Sequence, residues 1–280
     1  RTCRRMKAED DMNNTNKGIL AVSFGTMNRE TCDKTIGAIE EALAEAFPER
    51  KLYRAWMSSF IIQKLRSTQG IRCDTLEEAL DRMREEGITD LIVQPTHLLD
   101  GFENKRMKRI IGEKAAGSFD KVAIGAHLLD SSKDLSDVAD IIIDDIYGPY
   151  APGRSSALVL MGHGNRHDPA TNRVYADLQN CLCSKGYETI LVGTVEGEPT
   201  LEDVRSALDR NTAVTDIAIA PLMIVAGNHA LHDMAGNEET SWKNVLASTG
   251  RNVDTILKGL GEYDGIRRLL TEHARKAITI

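Results

Sequence analysis

The 280-residue chain carries 35 lysines and arginines against 42 aspartates and glutamates, a formal net charge of −7, with 28% charged and 41% hydrophobic residues. That balance is the one of a folded, water-soluble chain long enough for two modest domains, and it excludes a disordered or fibrous protein. It argues against nucleic acid as a partner, since such affinity comes from cations neutralising phosphates, and no apolar run approaches the roughly 20 residues that span a bilayer.

Residues 1–17 form a polar tail with no hydrophobic segment and hence no intact secretion signal. Because the first residue is Arg1, a leader removed from an exported form stays open beside the cytoplasmic reading. Five cysteines, at positions 3, 32, 73, 181 and 183, give an odd count without a paired framework, which reads as reduced thiols in a cytoplasm.

Short apolar runs predict buried strands at 18–24, 51–57, 90–96 and 121–127, with amphipathic stretches between them. The stretch 32–47 places Ile36, Ile39, Leu43 and Phe47 on one helical face, and Thr75 with Glu78 forms a capping signature for a helix that ends at Gly87. Helical periodicity at 135–146 is followed by a loop-like GPYAPGR, where a domain boundary is expected. Strands follow at 156–162, 189–195, 216–223 and 252–257. The last helix, over EYDGIRRLLTEHARKAI, is expected to pack back across a domain.

The order repeats. TLEEALDRMREEGITDLIVQP and TLEDVRSALDRNTAVTDIAIAP share turn, helix, loop and strand, with Pro95 matched to Pro221, and Gly25 falls against Gly164. This predicts an α/β protein of two duplicated domains, 18–150 and 151–280, each a parallel sheet flanked by helices. In such sheets ligands gather beyond the carboxyl ends of the strands.

His163 follows ALVLMG between two glycines, Glu196 follows TILVGTV, and His229 follows PLMIVAGN, so three strands deliver His, Glu and His to one edge. Two imidazoles and a carboxylate are ligands for a first-row divalent cation, with a position left for exchange. An imidazole also accepts a proton near neutral pH. The first half has Phe24 and Glu103 at the corresponding positions, which predicts one metal site per chain. GHGN lacks the spacing of a dinucleotide fingerprint, and no phosphate loop for a nucleoside triphosphate is present, so ATP is not expected.

MGHGNRHDPA, VGTVEGEPT and PLMIVAGNHALHDMAGNEETSWKNVL resemble the anaerobic cobalt chelatase family, the small ATP-independent class II chelatases. GILAVSFGT, YRAWMSSFIIQKL and VQPTHLLDGFE extend the likeness over nearly the whole chain. The resemblance implies two chelatase-type domains with a cleft for a tetrapyrrole between them, and insertion of a divalent metal, Co2+, into sirohydrochlorin during anaerobic cobalamin biosynthesis. It implies His163, Glu196 and His229 as metal ligands, with His163 also the proton acceptor, and a homo-oligomer. Fe2+ or Ni2+ stay open as alternative ions.

A substrate rich in carboxylates needs local cations in an acidic protein. Arg54, Lys105, Arg106 and Arg166 are the candidates by position, with Trp56, Met57, Phe60, Leu98 and Leu99 as apolar walls or core. His97 reads as a structural histidine, a cleft contact or, by likeness to exported family members that carry haem, an axial ligand. His167, His232 and Asp233 are candidates to orient the metal-binding rings or to acquire metal. Two other functions fit the same fold: a metal- or haem-binding transport protein, exported or cytoplasmic, and a ferrochelatase making sirohaem.

Overall fold

The computed structural model describes residues 16–115, 117–150, 155–166 and 168–280. The chain divides into two compact units, one running to Leu128 and completed by Arg267–Ile280, the other Leu129–Ile266.

In the first unit β1 (Lys17–Ser23), β2 (Lys51–Trp56), β3 (Asp90–Pro95) and β4 (Lys121–Ile124) form a parallel sheet in the order β2-β1-β3-β4. The C-terminal β9 (Ile278–Thr279) adds to β4 antiparallel, Ile124 facing Ile278. β1 is central and buried on both faces, which is why it reads as a continuous apolar run. Leu20 and Val22 pack into one core with Leu80 and Met83 of α4 (Leu76–Glu85) and Met107 and Ile111 of α5 (Phe102–Lys114). Ile19 and Ala21, equally inaccessible, turn to the opposite face. A helical segment runs through α1 (Arg29–Cys32), a π-helical turn Asp33–Gly37 and α2 (Ala38–Ala46), and α3 (Ser59–Gln69) follows β2.

In the second unit β5 (Ser156–Gly162), β6 (Ile190–Thr194), β7 (Asp216–Pro221) and β8 (Asn252–Thr255) are all parallel in the order β6-β5-β7-β8, the same order as the first four strands. Ala157, Val159 and Met161 join Val204 and Leu208 of α8 (Leu201–Arg210) and Trp242 and Leu246 of α9 (Trp242–Ala247) in one core. α6 (Ser132–Ile141) packs against α7 (Arg173–Ser184), and α10 is Asp264–Arg275.

The duplication extends to the helix punctuation. Thr75 and Glu78 close a capping box at the start of α4, and Thr200 and Asp203 close one at the start of α8. The boundary differs from the expected 150: α6 and the π-helical turn Ile142–Tyr147 belong to the second unit, because α6 packs on α7 and Lys185 pairs with Asp140 at 2.8 Å. Arg267–Ile280 returns to the first unit. Among the described residues no helix is long and apolar enough to cross a membrane.

Candidate functional site

At Gly162, the last residue of β5, a Cβ would lie 2.4 Å from the ring of Tyr175, a fully buried side chain of α7. Burial pushes the Tyr175 phenol up to about 12, so it stays a neutral donor, and its hydroxyl oxygen accepts from the Gly164 N–H at 3.3 Å. His163 stands at the turn that follows, exposed at the carboxyl edge of the sheet. Gly164 is constrained twice: its φ is +76°, and a Cβ would meet Gly197 N at 2.7 Å and Thr194 Cβ at 2.9 Å. The loop after β5 is thereby pressed onto the loop after β6, and the Glu196 N–H donates to the His163 carbonyl at 2.7 Å.

Asn172 locks this junction. It is 7% exposed. Its Oδ1 accepts from Asn165 N–H at 2.8 Å, its Nδ2 donates to Asn165 O at 3.0 Å, and its side chain fills the space beside Gly197. The sequence reading missed Asn172 and Tyr175, because a polar residue at a helix start and an aromatic inside a helix carry no mark of the loop they hold.

His229 opens a π-helical turn, His229–Met234, reached by a loop from the end of β7. Its wide pitch is visible in the bond from Ala235 N to Ala230 O at 3.1 Å. Ala230 and Met234 point into the core, leaving His229, His232 and Asp233 outward. A Cβ on Gly236 would lie 2.2 Å from the His232 carbonyl, so the turn closes only over glycine. Asn244 clasps the next loop by donating to the carbonyls of Asn237 at 3.1 Å and Glu238 at 2.8 Å, and Trp242 is buried against Gly193.

The two imidazoles meet edge to face, with centroids 4.6 Å apart and planes at 87°. His163 Nδ1 lies 2.9 Å from the Gly164 carbonyl and His229 Nδ1 lies 2.7 Å from Asp233 Oδ2. A carbonyl and a carboxylate can only accept, so in the neutral form of each ring the proton sits on Nδ1 and the lone pair on Nε2. That is the tautomer a metal ligand needs. Glu196 is not gathered into the pair: among the described residues no three His, Cys, Asp or Glu side chains stand together as a metal-holding group. Glu196 instead lines a hollow of about 900 Å³ with Asn165, Arg166, Asn172, Arg173 and Glu198. His232 is exposed on the His229 turn, Arg166 is exposed, and His167 lies outside the described residues.

The first-unit candidates take other roles. Arg54 donates from Nε to Oε1 of the buried Glu40 at 2.7 Å and from a second nitrogen to Oε2, so this cation is committed inside its own unit. Trp56 and Met57 are core, 3% and 5% exposed, and Gly25 allows the Trp56 ring to pass beneath it. Arg106 donates to the Met57 carbonyl at 3.2 Å. Leu98 and Leu99 are half-buried. His97 Nδ1 lies 3.4 Å from Asn104 Oδ1, Asn104 Nδ2 donates to Asp100 at 2.6 Å, and Lys108 donates to Asp100 at 3.1 Å. Burial lowers the His97 imidazole to about 4, and its Nε2 is buried without a hydrogen-bond partner.

The family model described as Cobalt chelatase (CbiK) matches residues 17–279. The chain is 33% identical over 264 residues to the sirohydrochlorin cobaltochelatase of Salmonella typhimurium, covering 94% of this chain and 97% of that protein. It is 29% identical over 275 residues to the sirohydrochlorin cobaltochelatase CbiKC of Nitratidesulfovibrio vulgaris, covering 98% and 95%. In fold it resembles SirB from Bacillus subtilis with Fe3+, with a TM-score of 0.67 at 15% identity over 93% of this chain and 94% of that one. CbiX, described as the terminal enzyme of sirohaem biosynthesis in denitrifying bacteria, gives 0.53 at 16% identity over 94% and 100%. By sequence over nearly its whole length, the chain belongs to the cobalt chelatase (CbiK) family.

Proposed function

We propose that this protein inserts Co2+ into sirohydrochlorin as a step of anaerobic cobalamin biosynthesis, without consuming a nucleotide. The observation that carries the reading is the His163 and His229 pair, two rings in contact whose Nδ1 protons are both engaged and whose Nε2 lone pairs are both left for an ion. Family membership and two relatives named for this reaction support the choice of metal and macrocycle.

The free macrocycle carries two pyrrole N–H protons that one divalent ion replaces. The ion is a substrate here: it sheds water as Nε2 of His163 and of His229 bind it, and Glu196 supplies the oxygen ligand by rotating its side chain toward the pair. The backbone bond from Glu196 N to His163 O, 2.7 Å, ties the two residues' backbones together. As the ion passes to the pyrrole nitrogens, Nε2 of His163 is released and accepts one proton, and Glu196 takes the other. Metal oxidation state does not change. Nitrogen and oxygen donors do not by themselves select cobalt, and Fe2+ and Ni2+ compete according to supply. The working form on this reading is a cytoplasmic homo-oligomer.

The test is anaerobic insertion assayed with sirohydrochlorin against protoporphyrin and with Co2+ against Fe2+, for the wild type, His163→Ala and His229→Ala. Sirohydrochlorin is metallated by the wild type, and each variant loses about a hundredfold or more in rate while remaining folded. Undiminished rates in both variants reject the assignment.

A further inference from the structure

Asn172 immediately precedes α7 and does not cap it. An asparagine at that position ordinarily accepts from the first backbone N–H groups of its own helix. Here no side-chain cap bond forms, and the buried amide is turned instead to Asn165, seven residues earlier. It fits there one way round only, because a backbone N–H can only donate and a carbonyl can only accept. Oδ1 therefore takes the Asn165 N–H at 2.8 Å, and Nδ2 gives to the Asn165 carbonyl at 3.0 Å. The side-chain oxygen of Asn165 is itself taken by the Asp168 N–H at 3.0 Å.

The Asn165 N–H belongs to the same peptide group as the Gly164 carbonyl, and that carbonyl stands 2.9 Å from Nδ1 of His163. One chain of hydrogen bonds therefore runs from the His163 ring through the Gly164–Asn165 peptide to the Asn172 amide. A peptide whose N–H is bonded is polarised, and its oxygen accepts more strongly. The peptide on the other side of Gly164 is held too, its N–H donating to the Tyr175 hydroxyl at 3.3 Å. Gly164, at φ +76°, is thus fixed at both ends, and the carbonyl that faces the ring is fixed with it. His229 is steered by other means. Its Nδ1 faces a carboxylate four residues on in its own turn, Asp233 Oδ2 at 2.7 Å, whereas the acceptor for His163 is a neutral peptide held from the start of α7.

We propose that Asn172 is a positioning residue for His163: through the Gly164–Asn165 peptide it keeps the proton of the neutral ring on Nδ1 and leaves Nε2 for the ion, while touching neither ion nor macrocycle itself. The inference deepens the function proposed above, on which its kinetic consequence rests; the tautomer of the ring does not depend on that function. The test is long-range 1H–15N correlation NMR of the metal-free, full-length protein with 15N-labelled histidine at about pH 8, where an ordinary imidazole is neutral, beside kcat and KM for Co2+ insertion into sirohydrochlorin. His163→Ala identifies the His163 signals. The wild type shows the Nδ1–H form at His163 and at His229. Asn172→Ala moves His163 toward the Nε2–H form and leaves His229 as it was, whereas Asp233→Ala does the reverse. Asn172→Asp still accepts from the Asn165 N–H and keeps the Nδ1–H form at His163, although it cannot donate to the Asn165 carbonyl. In Asn172→Ala kcat falls about 10- to 100-fold with KM for sirohydrochlorin unchanged. A folded Asn172→Ala with the wild-type tautomer at His163 overturns the inference. So does an equal change at both rings, the mark of a general loosening, and so does the Nε2–H form in Asn172→Asp, which decides the matter if Asn172→Ala does not fold. A wild type that shows these tautomers without metallating sirohydrochlorin refutes the proposed function, and the NMR comparison still decides the positioning of His163. Normal metallation with an unmoved tautomer in Asn172→Ala refutes the positioning alone.

Discussion

Asp233 Oδ2 stands 2.7 Å from Nδ1 of His229, four residues earlier on the same π-helical turn. The carboxylate fixes the direction of the ring and favours the proton on Nδ1. Asp233→Ala is expected to weaken Co2+ binding by about 10- to 100-fold, and Asp233→Asn, which keeps an acceptor without the charge, by less. Calorimetric titration with Co2+ measures both; equal affinities in wild type and Asp233→Ala would remove Asp233 from the site.

Gly164 has no room for a side chain. With φ at +76° and a Cβ contact of 2.7 Å waiting at Gly197 N, Gly164→Ala costs about 1 to 3 kcal/mol from the backbone alone. Denaturant unfolding reads that loss, and insertion rates fall further than stability does because His163 and Glu196 part company. A variant with native rates would show that the contact between the two loops is dispensable.

Asn172 is predicted to matter through its bonds to Asn165 and its packing beside Gly197. Asn172→Ala leaves the Asn165 N–H and carbonyl without their partner at a cost of about 1 to 3 kcal/mol. Asn172→Asp, which retains the acceptor for Asn165 N–H, recovers part of the stability and of kcat. Identical behaviour of the two variants in urea unfolding would contradict the clamp.

Acid stability follows from His97. Its imidazole ordinarily titrates near 6.5 and is lowered to about 4 by burial in the folded protein. As pH falls from 6.5 toward 4 the unfolded chain takes up the proton first, so stability declines across that window and levels off below it. The contribution is about 3 kcal/mol, to within a factor of two. His97→Gln should flatten the unfolding free energy between pH 6.5 and 4 relative to wild type; parallel pH profiles would show that the ring is hydrated.

Much of this architecture was legible in the sequence. The apolar runs predicted eight strands to within a few residues, because most of them are buried in a parallel sheet, β8 at the edge being the exception. His163 and His229 were singled out because glycines beside a strand end signal a turn that presents a side chain, and their rings stand edge to face. The ion pair of Arg54 was not legible because its partner, Glu40, lies 14 residues earlier on a helix whose charged positions look solvated in one dimension. For Trp56 the sequence left wall and core open; the indole is core, covered where it passes beneath Gly25. The domain boundary shifted because α6 is joined to the second unit by packing on α7, which no local signal announces.

The wide turn at His229–Met234 has a further consequence. It contains one residue more per hydrogen-bonded loop than an ordinary helix, the Ala235 amide reaching back five positions. Deleting Leu231 would let the segment rewind to regular pitch at little cost to folding, yet it would bring the acid one place nearer in sequence and rotate it off the ring. Chain length, as much as residue identity, is therefore what orients this imidazole, and a family alignment that tolerates substitutions there should tolerate no gap.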